Sequence, residues 1–86
     1  MGVPDGRIAA ELMRLARERG PEKTFCPSEA ARALADEWRP LMDDVRRVAM
    51  GLPLIATQKG ERVDPVAAGG PIRLSLDPKG GETPER

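Results

Sequence analysis

Residues 26–52, CPSEAARALADEWRPLMDDVRRVAMGL, decide the fold, because they read as two short helices joined at a tight corner. Pro27 stands at a first helical position, where a missing N–H costs nothing, and Ser28 and Glu29 supply a polar first turn. Ala30, Ala31, Leu34, Ala35 and Trp38 follow at helical spacing and gather on one face. Pro40 stops that helix. The residue before a proline is pushed out of the α region, which places Arg39 in the corner, while Pro40 suits the first turn of a second helix. That helix turns Leu41, Val45, Val48, Ala49 and Leu52 inward and Asp43, Asp44, Arg46, Arg47 and Met50 outward. The stretch is a helix-turn-helix. Trp38 is expected to plug the gap between its two helices, with the indole N–H on a carbonyl.

Working toward the N-terminus, Gly20-Pro21 ends an earlier helix, expected from Arg7 to Arg19, in which Ile8, Leu12, Leu15 and Ala16 form one apolar stripe. Residues 1–6 are turn formers expected to be loose, with Asp5 as the helix cap. Residues 22–25, EKTF, are too short for a helix between two prolines, so Thr24 and Phe25 run extended, with a β-bridge there and Phe25 in the core.

Toward the C-terminus, LIATQ at 54–58 is rich in strand formers, and Ile72, Leu74 and Leu76 alternate with Arg73 and Ser75. These runs pair antiparallel around the loop KGERVDPVAAGGP, with short extra pairing through Glu61–Val63. Residues 77–86 hold no aliphatic side chain and two prolines, and read as a disordered tail. The expected architecture is mainly α with a small β hairpin: a winged helix-turn-helix over residues 7–76, with three helices and a two- or three-stranded antiparallel wing.

Composition narrows the function. Fourteen basic residues balance fourteen acidic ones, so bulk charge does not steer the chain toward a polyanion. No run of about 20 apolar residues and no secretory signal is present, which points to a soluble, cytoplasmic protein without a membrane partner. With no histidine and one cysteine, neither a disulfide nor a Cys/His zinc site can form within the chain, and the commonest general base is missing. No catalytic residue, cofactor or metal is therefore expected, and an enzyme is the remotest reading.

Five motifs, Cys26-Pro27-Ser28-Glu29, Trp38-Arg39, Thr57-Gln58-Lys59-Gly60, Val63-Asp64-Pro65 and Gly70-Pro71-Ile72-Arg73, occur together. In this set the chain resembles, over roughly residues 8–76, a bacterial family of small proteins of unknown function with a winged-helix-like fold. The resemblance implies the fold and no activity.

A winged helix lays its third helix in the major groove and its hairpin loop alongside, so the candidate nucleic-acid contacts are Arg39, Arg46, Arg47, Lys59, Arg62 and Arg73. Against them stand Asp43 and Asp44 in the first turn of that helix, where they meet the positive end of its dipole. Two aromatic residues are too few for a base-stacking platform. Binding to duplex DNA is thus expected to be weak or partner-assisted. Arg14, Arg17 and Arg19 have two readings, as counter-charges to the C-terminal dipole of the first helix or as a phosphate-contacting patch. The alternative role is protein interaction or self-association through Met42, Met50, Val66, Ala67 and Ala68. Cys26, at the start of a helix, reads either as a reactive thiol or as a small side chain packed under Phe25. Arg73 is placed to tie the hairpin through Thr57 or Gln58.

Overall fold

The structure is a computed structural model that describes residues 3–77. Its first helix, α1, runs Asp5–Arg19, two residues earlier than the sequence suggests. Pro4 takes the capping position in extended conformation, and its carbonyl accepts from Arg7 and Ile8 N–H at 3.0 and 3.2 Å. Asp5 is therefore the first helical residue and not the cap, which leaves its carboxylate available to another element. At the far end Gly20 adopts φ 82°, a conformation glycine takes without strain, and its N–H closes on Ala16 O at 2.9 Å.

The second helix, α2, spans Pro27–Leu34 and ends well short of the corner proline. Ala35 is already extended, and the chain turns through residues 35–38 into a short 3-10 turn, Arg39–Leu41, that runs into α3, Met42–Met50. The sequence pattern carries this helix to Trp38, with Arg39 in the corner. Tertiary packing overrides it: doubling back at Ala35 lets Leu34, Ala35 and Trp38 all rest against the core. Trp38 caps the 3-10 turn, its carbonyl accepting from Leu41 N–H at 2.9 Å. It is partly buried at the corner rather than enclosed as a plug.

Three strands complete the domain, β1 (Leu54–Gln58), β2 (Glu61–Arg62) and β3 (Arg73–Leu76), in the antiparallel order β2-β1-β3. The register sets Leu54 opposite Leu76 and Ala56 opposite Leu74, so these four share the face turned to the helices. Phe25 joins the sheet as the expected bridge: its N–H donates to Leu74 O at 2.7 Å and Leu74 N–H returns to Phe25 O at 2.8 Å. Between β1 and β2 the turn has two residues, Lys59 at φ 54° and Gly60 at φ 86°, the paired left-handed geometry of a tight hairpin. The layout, three helices and a three-stranded antiparallel sheet, is winged-helix-like.

Ile8, Leu12, Phe25, Ala30, Val45, Ile72 and Leu74 make the heart of one core where α1, α2, α3 and β3 meet. No described helix is long and apolar enough to cross a membrane. The tail expectation falls on residues 78–86, which lie outside the described residues, as do residues 1–2. Asp77 is described, and its N–H donates to Pro53 O at 3.0 Å.

Candidate nucleic-acid interface

Sequence periodicity puts six cations on the outward face of the corner, α3 and the wing, and the structure sorts them into two groups. Three are bound into the fold. Arg46, partly buried on α3, donates through Nη1 to Ala68 O at 2.7 Å and through Nη2 to Gly70 O at 2.5 Å. Gln58, from β1, donates through Nε2 to the two carbonyls between and after those, Gly69 O at 2.5 Å and Pro71 O at 3.1 Å. Four successive carbonyls of the loop before β3 are thus caught alternately from α3 and from β1.

Arg47 points toward α1. Its two Nη groups reach both oxygens of Asp5 at 2.9 Å each, and Nη2 also donates to Asp44 Oδ1 at 3.3 Å. The hydrogen bonds hold the Asp5 carboxyl below its ordinary range and raise Arg47 above its own. Asp44 is therefore a partner of Arg47 as well as a residue of the first helical turn. Arg73 ties the sheet to the α1–α2 connection, donating through Nε to Thr24 Oγ1 at 3.0 Å and through Nη2 to Thr24 O at 3.2 Å. It lies opposite Thr57 in the ladder, as the strand register requires, yet its tie is to Thr24 and not to Thr57 or Gln58.

The second group keeps its charge uncompensated. Lys59 at the hairpin turn and Arg62 on β2 are exposed and have no ion pair among the described residues. Arg39 lies over the Trp38 ring with its guanidinium carbon 4.7 Å from the centroid. Arg32, which periodicity did not single out, lies over the same ring at the same distance of 4.7 Å. Two exposed guanidinium groups thus lie within cation–π range of one indole, a contact that leaves their charge uncompensated. The sequence hid Arg32 because six positions separate it from Trp38, a spacing that means nothing until the helix is known to end between them.

Cys26 caps α2. Its N–H donates to Glu29 Oε2 at 3.2 Å, its Sγ accepts from Ser28 Oγ at 3.1 Å, and it is partly buried. Glu29 is also gripped by Arg19, with Arg19 Nη2 at 2.6 Å from Oε1, a bond that holds the carboxyl below its ordinary range against the opposing effect of burial. The geometry makes Cys26 part of a helix-capping arrangement. Arg14 bridges Glu11 and Glu18 on the surface of α1 at 2.6 and 3.3 Å, and Arg19 is spent on Glu29, so two of the three basic residues late in α1 have carboxylate partners.

The apolar alternative also divides. Met42 packs against the core and Ala68 is partly buried, whereas Met50 and Val66 are 54 % and 52 % exposed. Met50, Ile55, Val63, Pro65 and Arg62 line a cleft of about 160 Å³ between the end of α3 and the wing. Among the described residues no three His, Cys, Asp or Glu side chains come together in a way that would hold a metal ion.

A family model described as Protein of unknown function (DUF3253) matches residues 5–77. No curated protein matches the chain.

Proposed function

We propose a binding role, without catalysis, for this chain, which belongs to the DUF3253 family of proteins of unknown function: it is a cytoplasmic module that holds the sugar-phosphate backbone of duplex nucleic acid. One observation carries the reading. The cations of the helix-turn-helix corner and the wing, Arg32, Arg39, Lys59 and Arg62, have no carboxylate partner among the described residues, while Arg46, Arg47 and Arg73 are tied within the fold. In a winged-helix layout the corner and the wing flank the third helix, and phosphate contacts on both sides position such a helix on the duplex. The exposed Asp43 and the zero net charge keep affinity low, so binding is confined to low salt or assisted by a partner.

The test is the salt dependence of binding to a short labelled DNA duplex of mixed sequence. Four neutralised phosphates give a log–log slope of about −3 to −4, and the double variant Lys59→Ala/Arg62→Ala lowers it by about two. No binding at about 50 mM salt overturns the reading. A second reading, self-association, rests on the exposure of Met50 and Val66 beside the cleft. Light scattering decides it: a monomer at all concentrations removes self-association.

A further inference from the structure

Ala68 to Pro71 make contacts unusual for a connecting loop. Each of the four carbonyls meets a side-chain donor, and the donors come from the proposed groove helix and from the wing, Arg46 on α3 and Gln58 on β1. A guanidinium fork and a carboxamide are the groups that pair with acceptors on base edges and phosphates, and here carbonyl oxygens stand where such acceptors would. All four acceptors are neutral, and Arg46 has no carboxylate partner among the described residues, so the cation is hydrogen-bonded but not charge-compensated. A phosphate oxygen makes the stronger, charge-assisted bond to the same group.

The segment is also built to lift. Gly69, Gly70 and Pro71 are exposed, as are Val66 and Ala67 before them, so Ala68, partly buried against the core, is the one strap residue whose side chain rests on apolar surface. Its anchors lie at its two ends, where Ala68 N–H also donates to Asp64 O at 2.9 Å. At one end Asp64 Oδ1 accepts from Val66 and Ala67 N–H at 2.8 and 3.2 Å, and at the other Ile72 is 1 % exposed in the core. Gly70 takes φ 80°, which a side chain tolerates poorly.

We propose that residues 68–71 are an autoinhibitory strap: they occupy Arg46 and Gln58, which turn to the nucleic acid when the strap lifts. The inference rests on the backbone-binding reading above and adds to it two residues that contact the ligand only in the open state. Closure reduces apparent affinity in proportion to the fraction of molecules that are open.

The experiment compares wild type with Gly70→Val and Asp64→Ala, which loosen the strap and keep both donors, and with Arg46→Ala, which loosens it and removes one. Binding to the mixed-sequence duplex is read by fluorescence anisotropy at about 50 mM salt, on proteins whose melts show them folded. Both loosened variants bind about three- to tenfold tighter than wild type, and Arg46→Ala binds more weakly than either. Asp64→Ala keeps the comparison available should Gly70→Val fail to fold. If wild type binds and neither loosened variant is tighter, the strap is overturned and the backbone reading stands. If wild type does not bind, the backbone reading is overturned and the strap, which rests on it, falls with it.

Discussion

Replacing Phe25 by alanine tests the joint on which the wing depends. The ring is 0 % exposed and sits where the α1–α2 connection crosses onto β3. Its backbone bonds to Leu74, at 2.7 and 2.8 Å, do not need the side chain, so the loss belongs to the ring alone. Removing a fully enclosed phenyl group costs its transfer free energy and leaves a cavity, together about 3–5 kcal/mol. A domain of this size has about 4–11 kcal/mol in all, so the variant loses about a quarter of its stability or more and unfolds partly at room temperature if the total is near the low end. Urea titration monitored by Trp38, the single tryptophan, measures this as a shift in midpoint at unchanged slope. Val66→Ala, at a half-exposed loop position, is the control and stays within about 0.5 kcal/mol of wild type. A loss below about 1.5 kcal/mol for Phe25→Ala would refute the placement of the ring in a closed core, and with it the docking of β3 on the helices.

Trp38→Ala costs less than Phe25→Ala, about 2–3 kcal/mol by circular dichroism melts, because water refills the partly open site and the two arginine contacts are worth about 0.5–1 kcal/mol each; a loss equal to that of Phe25→Ala would mean the indole is fully enclosed. Stability also depends on acid pH. Asp5 and Glu29 are both held below their ordinary values of 3.8 and 4.5, so their contribution is complete above that range and is lost as pH falls through it, when the unfolded chain binds protons the folded one refuses. Thermal melts in steps from neutral pH to about pH 3 show Tm falling below about pH 4.5, shallowly because both carboxylates are in contact with solvent, and the fall is shallower still in Glu29→Gln; equal slopes in the two proteins would count against the Arg19–Glu29 pair.

The elements were legible wherever periodicity and turn chemistry acted locally. The α1 stripe, the glycine stop at Gly20, the bridge at Phe25, the β1–β3 pairing and the short β2 pairing all follow from side-chain alternation and from where glycine and proline fall. The end of α2 was not legible, since Ala-Asp-Glu at 35–37 is compatible with helix and only the packing of Trp38 on the core makes the chain turn. The candidate site was half legible for a related reason. Spacing tells which face Arg46, Arg47 and Arg73 occupy but not what waits there, and two of their three partners are backbone carbonyls or a threonine that carry no charge to advertise them. Asp5, the third partner, reads as a cap from local sequence, since nothing there shows that the helix begins at Asp5 itself and frees its carboxylate for Arg47.

The tie between Thr24 and Arg73, 49 positions apart, has a consequence for the order in which the chain can fold. The helices pack through contacts nearer in sequence, whereas the face of α1 that packs on β3 is covered only when that distant strand arrives. During synthesis that strand emerges after everything it must cover. A chain synthesised only as far as Pro71 lacks Ile72 and Leu74 and so leaves part of this apolar core open to water, the kind of surface that associates with neighbours or is bound by a chaperone. Closure of the core therefore waits on β3, the strand most distant in sequence from α1.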